Sequence, residues 1–276
     1  MTLDTSDRRT AGVRRGFIAL YFLMAGSLVL AIATRRPPVF RLGLANDGYW
    51  RGVIIAAAGV SAACLIAAKV RSRAVWETVF TATLFLGVWY ALLLLLPVGW
   101  ALLIASLLTL LQAFAERVWS HDLFYLFGPV GLALSLASWL PPEAVLAGLV
   151  GLAVYDMVAG PPRRPILDLV QGLVKQGIVP GLIVPGSGTE FWATVPDVIK
   201  RPDTALLGAG DLAVPLIVVA QAAFHGLLSG LCVLSGLVLG AWLLGQNPGL
   251  APRPALPILV LGAGLPFCIL YIFGLI

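Results

Sequence analysis

Long apolar runs separated by short polar, basic or proline-containing breaks dominate this chain. Nine of them are long enough, at roughly 17 to 25 residues, to cross a bilayer as helices. They cover residues 16–34, 52–68, 76–97, 99–115, 123–140, 142–160, 205–224, 226–245 and 254–275. A tight Pro97-Val98-Gly99 break divides the third run from the fourth, and Pro141 divides the fifth from the sixth, so both pairs predict helical hairpins. The pattern gives a polar tail over 1–15, expected to be disordered, then five helices over 16–140. A second half, 141–276, holds the remaining four helices and the longest connection, 161–203. In that connection Ile166, Leu169, Val170, Leu173 and Val174 recur at helical spacing, as in a helix lying on the membrane surface. Residues 178–185 are β-branched and punctuated by Pro180 and Pro185, which fits an extended strand or gate better than a helix. Gly186-Ser187-Gly188 lacks the lysine and the strand-to-helix context of a phosphate loop and reads as a flexible turn.

Composition agrees with the pattern: 60% hydrophobic residues, 11% charged residues and a mean hydropathy of +0.98 belong to an all-α polytopic membrane protein. The net charge of +5 adds topology, because the basic residues fall between apolar runs. With the N-terminus cytoplasmic, fourteen of the 18 Lys and Arg face inward, and only Arg35, Arg36, Arg41 and Arg51 face outward. No basic stripe with interleaved aromatics is present, so nucleic acid is not an expected partner. Ala31-Ile32-Ala33 has the small-residue form of a leader cleavage site, but the first run equally suits a transmembrane helix, which is the reading kept. Cys64, Cys232 and Cys268 show no paired spacing and read as packing residues. His121 and His225 lie far apart without acidic or thiol neighbours at ligand spacing, and read as interfacial hydrogen-bonding residues; no metal or cofactor is implied.

Only Asp156 and Asp211 carry charge more than two residues inside an apolar run, and no Lys or Arg shares either run. An ionisable group at membrane depth is costly and is usually retained for catalysis, ion movement or charge pairing. The sixth run ends near Gly160, so Asp156 is expected about 6 Å from the cytoplasmic end, at 1.5 Å per residue. If the seventh begins near Ala205, Asp211 is about 9 Å in by the same rise. The two carboxylates can then face each other near the cytoplasmic surface.

Tyr155-Asp156 in the sixth run, Gly208-Ala209-Gly210-Asp211 in the seventh and Pro254-Ala255-Leu256-Pro257 opening the ninth resemble the three motifs of the presenilin and signal peptide peptidase family. The order, helix number and spacing agree over 142–275, while the first five runs match only as apolar segments. The second proline and the inferred orientation favour the presenilin side. The resemblance implies an intramembrane aspartyl endopeptidase of Gly-x-Gly-Asp type with Asp156 and Asp211 catalytic. Tyr155, Gly208, Gly210, Pro254, Ala255, Leu256 and Pro257 would border the dyad and contact substrate. It also implies transmembrane-helix proteins as substrates, hydrolysed by water that the aspartate pair activates, with no metal. In presenilins the connection corresponding to 161–203 is long and is cut during maturation; the shorter connection here departs from that pattern. Presenilins also act within a larger complex, whereas this chain is expected to act alone or as a homo-oligomer, with membrane lipid as its other partner.

Each motif has a plainer reading. Gly208 and Gly210 fit close helix packing, as do Gly226, Gly230, Gly236 and Gly240 of the eighth run. Pro254 to Pro257 fits a helix start, where a missing N–H costs nothing. Tyr155 fits an interfacial aromatic. Two carboxylates in a membrane also fit a proton- or cation-coupled transporter or leak channel. A prepilin-peptidase-like protease shares the Gly-x-Gly-Asp aspartate, but its pattern calls for a lysine two residues later, where Ala213 stands. The excess of arginine over lysine points to a prokaryotic inner membrane.

Overall fold

The computed structural model describes residues 5–34, 72–115, 117–158, 172–174, 177–201, 203–245 and 255–276. Among them, apolar helices run as α1 (Thr5–Ala33), α2 (Arg73–Leu93), α3 (Val98–Ala115), α4 (Val118–Trp139) and α5 (Pro142–Val158). Strand β1 (Gly181–Val184), the one-turn helix α6 (Val195–Ile199) and strand β2 (Ala205–Gly208) follow. The chain ends with α7 (Ala209–His225), α8 (Leu227–Leu244) and α9 (Leu256–Ile272). The second expected apolar run, 52–68, lies outside the described residues.

Five of these helices are long and apolar enough to span a membrane, and α5, α7 and α9 are shorter apolar helices. Their outward faces are greasy: α3 buries only Ala101 and Ala105 and exposes Leu102, Leu103, Leu107, Leu110 and Phe114. Such a surface is stable in lipid and a liability in water. The molecule is a mainly helical multi-pass membrane protein.

Three expectations change. Helix α1 begins at Thr5, so residues 5–15 are helical and continue the first span where a disordered tail was expected. The fold is not purely α, because β1 and β2 form a two-stranded antiparallel sheet pairing Gly181 with Gly208 and Val184 with Ala205. The seventh helix therefore starts at Ala209, four residues later than expected, since Ala205–Gly208 is strand. Glycines of the eighth run behave as expected with one exception. A Cβ at Gly236 would collide with the Gly262 carbonyl of α9, and one at Gly230 with Leu30 of α1, so both sit at tight helix contacts. Gly226 instead has φ +150 and forms the turn between α7 and α8. Cys232 is exposed on α8.

Helix α7 is the centre of the fold, packing against α1, α4, α5, α8 and α9. Leu212, Leu216, Val218, Val219, Ala220 and Ala222 are all fully buried, as expected of a helix apolar all round. At its far end the buried Gln221 Nε2 donates to the Leu140 carbonyl, which ends α4 and precedes two prolines that cannot donate. At the near end, which we term the site face, Arg14 of α1 donates to the Asp203 carbonyl, and Arg15 Nε donates 3.1 Å to the Gly245 carbonyl closing α8. Residues 186–203 cap this face. Phe191 meets Phe17 of α1 edge-on at 6.1 Å, and the Val118 N–H of α4 donates to the Ala193 carbonyl at 3.1 Å.

Glu190 organises that cap, which is more ordered than the flexible turn expected at 186–188. Its carboxylate accepts the Gly186 N–H at 2.9 Å and Arg201 Nη1 at 2.8 Å. Burial pushes its pKa up, but the hydrogen bonds from Gly186, Arg201 and Ser187 outweigh burial and hold it below its ordinary 4.5. A carboxyl lowered in this way stabilises the fold above its unfolded pKa and loses that contribution as pH falls through the lower folded value. Amide protection across 186–203 should therefore drop in acid below about pH 4.5, and Glu190→Gln should flatten the response. An acid response unchanged in Glu190→Gln would contradict this role.

Candidate active site

The site face gathers the ends of the elements that carry the three motifs. Helix α5 starts at the far face, where the Tyr271 hydroxyl of α9 donates to Glu143 Oε1 at 2.9 Å, so α5 ends at the site face. Tyr155 and Asp156 fall in its last turn, and the backbone of Asp156 lies about 3 Å from the end at Val158 at 1.5 Å per residue. Helix α7 starts at the site face, and Asp211 is its third residue, half-buried in the first turn. Because β2 replaces the expected first turn of helix, Asp211 is about 3 Å from the helix start rather than 9 Å. Each aspartate thus lies near the site-face end of its helix, and the two helices touch each other.

The Gly-x-Gly-Asp segment is the joint between sheet and helix. Gly208 is at once the last residue of β2 and the N-cap of α7, with extended φ −60 and ψ 149. A Cβ added to it would lie 3.3 Å from Asp211 Oδ2, tight enough to push the carboxylate. A Cβ at Gly210 would meet nothing within 4 Å among the described residues. Among the described residues neither glycine is held against a neighbouring helix, and at Gly208 the glycine keeps room beside the Asp211 carboxylate. Pro215, one turn on, cannot donate a helical hydrogen bond four residues back, so the first turn of α7 is held by one bond fewer.

Helix α9 packs against both α5 and α7, and its start lies on the site face. Ala255 is its N-cap, Leu256 is buried in the main core and Pro257 occupies the first turn, where its missing N–H is harmless. Pro254 lies outside the described residues. Of the amphipathic stretch expected in the long connection, Ile166, Leu169 and Val170 also lie outside. Leu173 is buried against Trp76 and Ile178, so it packs inward on α2.

The extended segment expected over 178–185 is present as β1, and its alternation decides which edge of the sheet is open. The Ala209 N–H donates to the Pro180 carbonyl at 3.0 Å, which fixes the groups of Pro180, Leu182 and Val184 toward β2. Those of Val179, Gly181 and Ile183 point the other way, into α4. There the Tyr125 hydroxyl donates to the Val179 carbonyl at 3.0 Å and His121 Nε2 to the Gly181 carbonyl at 2.8 Å. The Ile183 N–H donates to Asp122 Oδ1 at 3.0 Å. In β2 the outward groups are those of Leu206 and the Gly208 N–H, and this edge has no strand partner among the described residues. Sequence reasoning reached His121 only as an interfacial residue and missed Asp122. The fifth run was begun at residue 123, just after the one acidic residue that α4 buries.

No protein-family model matches the sequence, and no curated protein matches it. Among solved structures, the chain is similar to a presenilin-family intramembrane aspartate protease at 22% identity and a TM-score of 0.55. That match covers 96% of this chain and 99% of the other. The chain therefore has a mainly helical, presenilin-like fold.

The Gly208 geometry makes a structural prediction. In Gly208→Ala the added methyl should displace the Asp211 carboxylate and shift its ¹³C-carboxyl NMR resonance, assigned by its loss in Asp211→Asn. Gly210→Ala should leave that resonance in place. Equal shifts in both variants would show that Gly208 has no special relation to the carboxylate.

Proposed function

We propose that this chain is an intramembrane aspartyl endopeptidase of Gly-x-Gly-Asp type, with Asp156 and Asp211 as its catalytic pair. One observation supports the reading: the two aspartate positions lie near the site-face ends of touching helices, α5 and α7, in a fold shared with a presenilin-family intramembrane aspartate protease. A pair of carboxylates that shares one proton supplies both halves of peptide hydrolysis. The ionised member takes a proton from water, which attacks the scissile carbonyl, while the protonated member donates to the carbonyl oxygen as the tetrahedral intermediate forms. Protonation of the departing nitrogen then completes the reaction, and no covalent intermediate is needed.

Substrates on this reading are transmembrane helices of other proteins. A peptide bond inside such a helix is shielded by the helix's own hydrogen bonds, so it must be unwound locally and its freed groups satisfied. An added strand does both. The pairing edge that fits is the outer edge of β2, at Leu206 and Gly208, because the α4-facing edge of β1 is already occupied. Substrate then pairs with the strand that runs directly into Asp211. Gly208 and Gly210 let the substrate backbone approach, and Tyr155 and Pro254-Ala255-Leu256-Pro257 take the substrate-contacting roles that the motif resemblance implies. The charge pattern supports a position near the cytoplasmic surface, and the excess of arginine over lysine supports a prokaryotic inner membrane.

The test is cleavage of a reconstituted transmembrane substrate, with ion flux followed in the same liposomes. Asp156→Asn and Asp211→Asn should each lower turnover by at least about 10²-fold while leaving detergent stability intact, and the wild type should carry no flux. Near-normal turnover in either variant would end the aspartyl mechanism. Asp-dependent flux without cleavage would favour a transporter or leak channel.

A further inference from the structure

Three polar side chains of α4 are buried where a membrane-spanning helix would ordinarily bury apolar ones. His121, Asp122 and Tyr125 are 7%, 5% and 2% exposed, at positions i, i+1 and i+4, which share one side of the helix near its start. Burying such groups is costly unless each finds a partner. Here the partners are one outward group from each of three alternate residues of one extended segment: the Val179 carbonyl, the Gly181 carbonyl and the Ile183 N–H. The His121 and Tyr125 rings lie 4.6 Å apart, and the Tyr21 hydroxyl of α1 donates 2.7 Å to the Tyr125 carbonyl, so a second helix braces the group. The pattern partly matches what a pairing strand would present: two carbonyl acceptors are met by donors and the Ile183 N–H is met by an acceptor. Asp122 Oδ1 makes its bond to Ile183, while Oδ2 has no hydrogen-bond partner among the described residues.

We infer that Asp122, His121 and Tyr125 are positioning residues that imitate a third strand along β1, closing that edge and holding the sheet that leads into Asp211. Its catalytic consequence rests on the protease reading above. With the α4 side closed, an unwound substrate can pair only with β2. The same bonds fix β1, to which β2 is paired closely enough that a Cβ at Gly181 would collide with the Leu207 carbonyl. Freeing β1 would loosen β2 against α4 and expose a second, unproductive pairing edge. The consequence is loss of cleavage-site precision as well as of rate, which distinguishes positioning from simple destabilisation.

Asp122→Asn keeps the Oδ1 acceptor, because its amide nitrogen can take the place of the oxygen that lacks a partner; Asp122→Leu removes the acceptor. We would measure single-amide hydrogen exchange in the full-length reconstituted protein, together with kcat, KM and product masses for a transmembrane substrate. In Asp122→Leu, exchange at Ile183 should accelerate by about 10-fold or more, kcat should fall by a similar factor, and cleavage should spread over neighbouring bonds. Asp122→Asn should restore exchange, kcat and the single cleavage position to within about twofold, on the same hydrogen-bond reasoning. If Asp122→Leu does not fold, Tyr125→Phe, which removes one hydroxyl without changing shape, should give a smaller loss of the same kind. Unchanged Ile183 exchange, or Asp122→Asn as impaired as Asp122→Leu, would overturn the inference. So would faster exchange with rate and cleavage position intact. A wild type that cleaves nothing while Ile183 exchange responds as described would instead refute the protease reading and leave the closed edge standing.

Discussion

Non-helical backbone inside a membrane protein must have every N–H and C=O satisfied by protein, since lipid offers no partner. The stretch from Val179 to Val184 meets much of that demand, through β2 on one side and through three buried side chains of α4 on the other. Much of the site's arrangement follows from that solution. Because β2 is committed to β1 up to Gly208, α7 can begin only at Ala209, and Asp211 falls in its first turn. Because α4 holds β1, the helix at the centre of the fold enters the core from a fixed platform.

The two helices that carry the aspartates are anchored unequally. Helix α7 is enclosed by five helices and the sheet. Helix α5 buries Val145 and Leu149 in its far half, where Glu143 also accepts from Tyr271, whereas Leu152, Val154 and Met157 on its site-face half are exposed. Segments with few buried apolar contacts open at low free-energy cost. One aspartate is therefore carried by the helix at the centre of the fold and the other by the end of a helix held mainly at its opposite end.

Much of this was legible in the sequence, because membrane-spanning helices are specified by length and apolarity, which survive without any partner in view. The boundaries that mattered were not. Ala205-Leu206-Leu207-Gly208 is rich in good helix formers and reads as the start of a helix, yet pairing with Gly181–Val184 makes it a strand. That tertiary effect moved Asp211 by about 6 Å, roughly one turn's rise. Asp122 escaped notice because an acidic residue at the edge of an apolar run looks like an interfacial charge; only the Ile183 N–H facing it makes its burial intelligible. Residues 178–185 were readable as extended because β-branched residues and prolines disfavour a helix locally. Which edge would stay open depended on α4, 60 residues away. The three motifs led to the correct fold at 22% identity, while the roles of individual residues rest on chemistry, as sites are not dictated by folds.

The account turns on whether Asp156 and Asp211 meet across the boundary between α5 and α7. Paired cysteines tested in the membrane address this most directly, with Cys64, Cys232 and Cys268 replaced by serine. Asp156→Cys combined with Asp211→Cys should be joined efficiently by a short bifunctional thiol reagent. Val150→Cys combined with Asp211→Cys should not, since position 150 lies about 9 Å further along α5. Linkage of the control pair in place of the aspartate pair would contradict the account and leave the two carboxylates without a common reaction to perform.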